Sequence, residues 1–312
     1  MPKGTNRYLI RFLYFLGVVR WYNIGLILMA QYATAAYIQL VYKSYSSKYN
    51  AFWTYVSDST LHLMSLATIF TVAAAFIINF FYDVDKDLVN KPNMALMGRA
   101  VGTKHLANIY ILFNFMGLLF AFFASNKIFI FFIFYQIGCF FYSHKLQKMP
   151  IIRELTSGLL TMAPMLAVWL HFGIPSWELL YYFSTLLLTL FTKDVLKALS
   201  GHRGNLIFGY QTVVVAAGKR TTELGLVALH LCLNLLFWGS LFFIHPVKQN
   251  LIYLSGFTVL ATTLNSFLGI TQFDGREKWS VRIQKIILLA HVGGILVLLF
   301  KGLIFRILEN TI

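Results

Sequence analysis

The sequence predicts an all-α protein that crosses a membrane about nine times. Of its 312 residues, 58% are hydrophobic and only 12% are charged, whereas a soluble domain carries about 25% charged residues. The apolar residues are grouped in runs long enough to cross, or nearly cross, a bilayer core of about 30 Å. Together these features exclude a soluble globular domain and favour transmembrane helices along the whole chain.

Nine apolar runs account for most of the sequence. They cover approximately residues 13–42, 61–82, 105–124, 128–143, 151–173, 178–193, 222–244, 251–270 and 283–305. The fourth and sixth runs are short for a crossing, and tight pairing with neighbours or a small tilt would accommodate them. We interpret the chain, residues 1–312, as a single domain.

The 26 Lys and Arg residues predict the orientation, because cytoplasmic loops of membrane proteins are enriched in these residues. Most of them fall on the cytoplasmic side if the N-terminus is inside, and an odd number of spans then puts the C-terminus outside. The net charge of +15 lies in short segments between apolar runs. It therefore predicts contacts with anionic lipids or phosphate rather than with nucleic acid.

The most informative stretch runs from Asn79 to Pro92. Asn79, Asp83 and Asp87 recur every four residues, a spacing that places them along one face of a helix. Their oxygens suit Mg²⁺, which fills the rest of its octahedron with water and phosphate oxygens. Carboxylates near a membrane core are costly and tend to be functional. We therefore predict a metal or phosphate site, the alternative being a helix end that simply leaves the bilayer. Asp85 should point off this face.

The same stretch resembles a known family. Its pattern N-x-x-x-D-x-x-x-D-x-x-N-x-P is similar to the first aspartate-rich motif of the UbiA superfamily of intramembrane prenyltransferases, and Gly98-Arg99 also resembles members. Phe80 departs from the many members that carry Asp directly after the Asn. The resemblance implies a helical bundle around a central cavity, in which Mg²⁺ and basic residues hold the diphosphate of an isoprenyl substrate. Loss of the diphosphate leaves an allylic carbocation, which the acceptor attacks.

The resemblance also implies residues that contact the substrate. Arg20 and Asn23 look like the Arg-x-x-Asn pair that the family carries near the substrate cavity, although an Arg at this depth can also snorkel. Tyr142, Lys145 and Lys148 end the fourth span, where the family places a Tyr-Ser pair and basic residues near the phosphate. Lysines at a helix C-terminus are favoured regardless of function.

Arg99 is a further candidate for binding the diphosphate. Pro92 disfavours helix at the residue before it, so we expect Gly98 and Arg99 in the loop that follows. A guanidinium group can bind phosphate oxygens in a bidentate manner. An ordinary cytoplasmic Arg is an equal alternative.

A second acidic region, residues 193–220, follows the sixth span. Asp194, Gly209, Thr212 and Gly218 match the family's second motif. Two departures weaken the match. Lys197 stands where relatives usually carry Asp, Glu or Asn. Asn205 replaces the Asp of a Gly-Asp pair, or in another alignment His202 does.

These departures leave Asp194 as the only carboxylate of the region in either alignment. Lys193, Arg203 and Asn205 would then contact the diphosphate directly. We expect a well-formed Mg²⁺ site at Asn79, Asp83 and Asp87, and a weak or absent second site at Asp194. Glu154 stands where many relatives carry Asn, and the sequence gives no reason for it.

The sequence thus predicts an integral-membrane prenyltransferase with Asp83, Asp87 and Asp194 as catalytic residues and a site that opens to the cytoplasm. Its partners would be an isoprenyl diphosphate, a hydrophobic acceptor of aromatic or lipid type, and membrane lipids. Two alternatives stay open: a terpene cyclase of the same family, and a catalytically altered protein that binds or transports lipids. The acceptor, the prenyl chain length and the oligomeric state do not follow from the sequence.

Overall fold

The computed structural model confirms the all-α prediction, because each secondary-structure element among its described residues is helical. The structure describes residues 5–42, 57–90, 92–173, 177–200, 206–207, 211–240, 250–270 and 279–294. The helices are α1 (Thr5–Val18), α2 (Trp21–Tyr42), α3 (Ser59–Asn90), α4 (Pro92–Val101), α5 (Thr103–Ala124), α6 (Asn126–His144), α7 (Ile152–Phe172), α8 (Trp177–Ser200), α9 (Val213–Ala217), α10 (Lys219–Ser240), α11 (Asn250–Ile270) and α12 (279–294). A 3₁₀ turn, Leu146–Lys148, follows α6.

Five helical segments within the described ranges are long and apolar enough to cross a membrane, and the bent pair α1–α2 would make a sixth. The five are Ser59–Asp85, Thr103–Ala124, Asn126–Lys148, Ile152–Phe172 and Trp177–Ser200. The last one corrects the expectation of a short sixth span, because α8 has 24 residues. Helices α10, α11 and α12 overlap the last three predicted runs. Nine crossings and the N-in, C-out orientation therefore stay predictions.

The first predicted span, 13–42, is interrupted in the structure. Helix α1 ends at Val18 and α2 begins at Trp21, and their axes differ by 52°. Arg20 lies at the break with a φ of 51°, a left-handed conformation that costs a residue with a Cβ roughly 1–2 kcal/mol. Hydropathy alone could not reveal this bend, since both sides of it are apolar.

The structure divides into two units of packed helices. The first takes in the described residues within Met1–Ala35, Tyr45–Gln147 and Ala163–Gly173, and in it α3 packs against α4, α5 and α6. Helix α5 can approach closely because Gly117 has no Cβ, and a Cβ at that position would meet the side chains of Thr71 and Gln136. Gln136 donates hydrogen bonds to Thr71 Oγ1 at 3.2 Å and to the carbonyl of Asn114 at 3.0 Å. Polar contacts and small residues of this kind hold membrane helices together.

Helix α3 is fixed at its N-terminus by Asp58. One carboxylate oxygen accepts a hydrogen bond from the Leu61 N–H at 3.1 Å, and the other lies 3.5 Å from His171 Nε2. The hydrogen bond from His171 lowers the pKa of Asp58 below its ordinary value. Asp58 therefore both caps the helix and ties it to the end of α7.

The second unit takes in the described residues within Ala36–Ser44, Lys148–Met162 and Ile174–Ile312. Buried polar side chains link its helices: Thr192 on α8 lies 3.0 Å from His230 on α10, and Asn265 on α11 donates to Gln284 on α12 at 2.8 Å. His291 stacks on Tyr182 with ring centroids 4.4 Å apart. These contacts hold α8 in place and with it the Asp194 that α8 carries near its C-terminal end.

Candidate functional site

The first acidic motif lies on one uninterrupted helix. Helix α3 continues to Asn90, so Asn79, Asp83 and Asp87 follow one another a helical turn apart, as their spacing predicts. Asp87 is buried, with 4% of its surface exposed, whereas Asn79 and Asp83 are half-buried. Asp85 is exposed, which confirms that it points away. We call Asn79, Asp83 and Asp87 the acidic ladder.

The geometry of a helix limits how the acidic ladder could hold an ion. Residues four apart are neighbours on a helix surface, at about 5–6 Å between Cβ atoms. Asn79 and Asp87 are about 12 Å apart along the axis at 1.5 Å per residue, too far to coordinate one ion together. Adjacent members can share an ion, and their carboxylate and amide oxygens are the donors that Mg²⁺ prefers. The donor set therefore fits Mg²⁺, with Asp83 as the member common to both pairs.

Ser143, which is not among the residues predicted for the site, orients Asn79, the first residue of the acidic ladder. The buried Ser143 hydroxyl donates a 2.6 Å hydrogen bond to Asn79 Oδ1 and lies 3.1 Å from the carbonyl of Cys139. Buried Gln147 donates to the Ser143 carbonyl at 2.7 Å and so fixes the end of α6. Tyr142, the expected substrate contact, is half-buried next to Ser143. The Tyr142-Ser143 pair was the feature of the sequence that could have indicated Ser143.

A second contact between α3 and α6 lies one position further along. Tyr82 Oη lies 2.9 Å from His144 Nδ1, and the two rings meet edge to face at 5.7 Å. His144 is not among the residues that the sequence predicts for the site. Its neighbour Lys145 caps the end of the helix and is exposed. Lys148 is also exposed, at the end of the 3₁₀ turn. Both lysines are therefore accessible to an anionic ligand.

Phe80, the departure from the family motif, packs against Gly98. The ring is 7% exposed, and a Cβ on Gly98 would overlap it. The expectation that Gly98 and Arg99 lie in a loop is wrong, because both belong to α4. Pro92 ends α3 but also begins α4, a position at which its missing N–H costs nothing. Arg99 is exposed in the last turn of α4.

Arg20 is directed towards the ladder face of α3. Its guanidinium carbon lies 5.1 Å from the centroid of the Phe76 ring. Phe76 precedes Asp83 by seven residues, so the two lie on one helix face, about 10 Å apart along the axis. Asn23 is half-buried, and its N–H donates to the Arg20 carbonyl at 2.8 Å. The strained backbone at Arg20 is typical of functional positions.

In the second unit, Asp194 is surrounded by cations. Its side chain is 14% exposed, and Lys193 Nζ lies 3.7 Å from Oδ1. Lys197 and Arg153 also act on it electrostatically, and Ser157 is its hydrogen-bonding neighbour. Thr212 is buried and caps the short helix α9 by accepting from the Val215 N–H at 3.2 Å. Arg203, Asn205 and Gly209 lie outside the described residues.

Glu154 lies close enough to Asp194 to act on its charge, a relation that the sequence did not predict. It is buried, with 1% exposed, and it interacts electrostatically with Asp194 and Arg153. A second carboxylate therefore acts on Asp194, and it comes from α7 rather than from residues 193–220. The relation depends on the packing of α7 against α8, which no local motif reveals. The part of the chain that is described contains no group of three or more His, Cys, Asp or Glu side chains arranged to hold a metal.

Comparison with known proteins identifies a family whose sequence model matches most of the chain. A sequence model of the UbiA prenyltransferase family matches residues 49–289, more than half of the chain. A digeranylgeranylglyceryl phosphate synthase from Pyrococcus horikoshii is 27% identical over 169 residues, which are 54% of this chain and 60% of the relative. One from Sulfurisphaera tokodaii is 23% identical over 198 residues, 60% of this chain and 71% of the relative. The chain thus aligns with less than two thirds of the P. horikoshii protein.

Solved structures share the fold over nearly their whole length. A UbiA homolog from Archaeoglobus fulgidus bound to DMAPP and Mg²⁺ superposes with a TM-score of 0.67 at 16% identity, covering 91% of this chain and 98% of that one. A UbiA homolog from Aeropyrum pernix gives a TM-score of 0.63 at 14% identity, covering 88% and 97%. At such identities the likeness establishes the fold alone.

Proposed function

The chain belongs to the UbiA prenyltransferase family, and we propose that it transfers an isoprenyl group from a polyprenyl diphosphate to a hydrophobic acceptor. The observation that carries this proposal is the acidic ladder, with a buried Asp87, a half-buried Asp83 and an Asn79 oriented by Ser143. Hard oxygen donors at the end of an apolar helix serve a metal–phosphate site better than they serve packing. The family relation agrees with that chemistry.

In this proposal the adjacent pairs Asn79–Asp83 and Asp83–Asp87 supply the ligands for Mg²⁺, which would neutralise charge on the diphosphate. The chain's own cations act with it. Arg20 is held near the ladder face by its contact with Phe76, and exposed Lys145 follows the α6 turn that contains Ser143. Preorganised cations are most effective where charge develops during bond cleavage, because they need no reorganisation at that moment.

In this proposal the second acidic region also contacts the diphosphate. Lys193 and Asp194 occupy adjacent positions at the end of α8, where the lysine can contact phosphate oxygens. Arg203 and Asn205 are proposed as further contacts by sequence, as are Asn23, Arg99, Tyr142 and Lys148. Asp194 is proposed as a metal ligand and, with Asp83 and Asp87, as a catalytic residue.

Apolar and aromatic surroundings would protect the reacting prenyl group from water. Phe76 and Phe80 stand on α3 among the ladder residues, and Phe80 is buried against Gly98. Aromatic faces can also stabilise a cation by about 0.5–2 kcal/mol. These residues suit a reaction that develops positive charge on an allylic carbon.

For the acceptor we propose a lipid, with an aromatic compound as the alternative. The support is the relatives' name, digeranylgeranylglyceryl phosphate synthase, which names a glyceryl phosphate that carries two geranylgeranyl groups. We further propose that the site opens to the cytoplasm, in line with the excess of Lys and Arg predicted on that side.

The test uses the full-length chain purified in detergent. Radiolabelled geranylgeranyl diphosphate is supplied with Mg²⁺ and either a prenylated glycerol phosphate or an aromatic acceptor. The proposal predicts Mg²⁺-dependent release of diphosphate together with a labelled acceptor product. Label in a cyclised hydrocarbon would instead identify a terpene cyclase, and binding without diphosphate release would identify a lipid-binding protein.

A further inference from the structure

Helix α2 is long enough to cross the membrane without α1. Its 22 residues extend about 33 Å at 1.5 Å per residue, and a bilayer core is about 30 Å thick. The polar side chains of Gln31 and Thr34 on α2 are fully buried, so they do not face lipid and do not oppose a crossing. If α1 belonged to the same span, the two helices from residue 8 to residue 39 would run about 48 Å along their axes, well beyond what the core requires.

The contact of Arg20 places the junction of α1 and α2 at the edge of the core. From its first residue to Asn79, α3 also extends about 30 Å. The Arg20 guanidinium carbon lies 5.1 Å from the centroid of the Phe76 ring, three residues before Asn79. Trp21 and Tyr22 follow with 61% and 56% of their surfaces exposed, as is typical of aromatic residues at a membrane–water interface. The crossing therefore begins with α2, and α1 precedes it.

Helix α1 is packed at its C-terminal end and exposed in the turns before it. A Cβ on Gly17 would lie 3.0 Å from Met97 Sδ on α4. The ring of Phe15 meets the Phe113 ring on α5 edge to face at 6.2 Å. The earlier turns carry four large apolar side chains that are 55–77% exposed: Tyr8, Leu9, Phe12 and Leu13. An apolar patch of this kind on a helix outside the core fits the boundary between lipid headgroups and acyl chains.

The charge of the same segment is complementary to an anionic lipid surface. The first 20 residues contain four basic side chains and no acidic one. Arg11 is exposed on α1 next to the apolar patch. Basic residues beside an apolar helix face are attracted by the anionic headgroups of the cytoplasmic leaflet.

We propose that α1 is an interfacial helix whose partner is the lipid surface beside the acidic ladder. Its exposed apolar side chains lie among the headgroups and the first acyl carbons, and α2 alone makes the first crossing. The 52° bend at Arg20 is then the point at which the chain turns from the surface into the membrane. This inference does not depend on prenyl transfer, because the depth of α1 is measured without substrate.

Spin labels measure that depth directly. The full-length chain, with Cys139→Ala and Cys232→Ala to remove the native thiols, carries a single label at Leu9→Cys or Phe12→Cys. It is placed in phosphatidylcholine vesicles that contain phosphatidylglycerol. Electron paramagnetic resonance compares collisions of the label with oxygen, which collects in lipid, and with a nickel chelate, which stays in water. Both labels are expected about 5–10 Å inside the headgroup boundary.

Two reference labels define the outcomes. Met29→Cys, at a position on α2 that is 47% exposed, lies about 12 Å along the helix from Trp21 and should report the core. Asp85→Cys, at the exposed end of α3, should report water. Size-exclusion chromatography checks that each labelled chain is folded. Labels at Leu9 and Phe12 that match the Asp85 reference in water, or the Met29 reference in the core, would overturn the proposal.

Discussion

Ser143→Ala isolates the role of the contact that orients the acidic ladder. The substitution removes a fully buried hydroxyl that donates to Asn79 Oδ1 at 2.6 Å. Its second neighbour, the Cys139 carbonyl at 3.1 Å, is a carbonyl within the same helix, so the main loss falls on Asn79. Leaving a buried acceptor unsatisfied costs about 1–3 kcal/mol.

We expect this loss of free energy to lower the apparent affinity of the site for Mg²⁺. Partners that orient metal ligands typically contribute about 10- to 100-fold in metal affinity or activity, in agreement with the hydrogen-bond estimate. We therefore expect the Mg²⁺ concentration for half-maximal diphosphate release to rise about tenfold or more. The assay is a Mg²⁺ titration of diphosphate release from labelled isoprenyl diphosphate by the purified chain.

Ser65→Ala provides the matched control. Ser65 is also buried and also on a membrane helix, but its hydroxyl donates to the Leu61 carbonyl of its own helix at 2.9 Å. It lies about 21 Å from Asn79 along α3 at 1.5 Å per residue. Identical Mg²⁺ titrations for the two variants would refute the reasoning.

Three further predictions follow from the structure. Asp83→Ala and Asp87→Ala should each abolish prenyl transfer while the chain still elutes as a folded species; activity near wild type in either would remove the metal-site argument. Gly98→Ala should destabilise the protein by about 1–3 kcal/mol through overlap with Phe80, measured by thermal unfolding in detergent, whereas Gly25→Ala, with open space around it, should not. The pKa of Asp58 is lowered in the folded state, so its contribution to folding stability is present above its ordinary pKa and is lost as pH falls through the lowered value. The difference in unfolding free energy between wild type and Asp58→Asn should therefore disappear below about pH 4. A difference that does not change with pH would contradict the pairing with His171.

The parts of the site that follow from helical periodicity could be predicted from the sequence. Asn79, Asp83 and Asp87 share a face because α3 is regular through them, and the exposure of Asp85 follows from the same geometry. The all-helical class follows from composition, because a chain this apolar and this poor in charge has few other solutions.

Contacts between helices could not be predicted in this way. Ser143 reaches Asn79 across 64 positions in sequence. Glu154 meets the charge of Asp194 only because the first half of α7, up to Met162, belongs to the same packed unit as α8. The residues next to Gly98 in the sequence do not show whether it lies in a loop or in a helix against which Phe80 packs. The bend at Arg20 is hidden for another reason: apolar residues continue through it, so hydropathy does not change.

The acidic ladder is tested most directly by Mg²⁺-dependent diphosphate release from labelled isoprenyl diphosphate, compared between the wild-type chain and Asp83→Asn/Asp87→Asn. The wild type should release diphosphate in proportion to bound Mg²⁺, and the double variant should release none above the protein-free background while keeping its thermal unfolding temperature. Release by the folded double variant at the wild-type rate would contradict a catalytic role for these carboxylates.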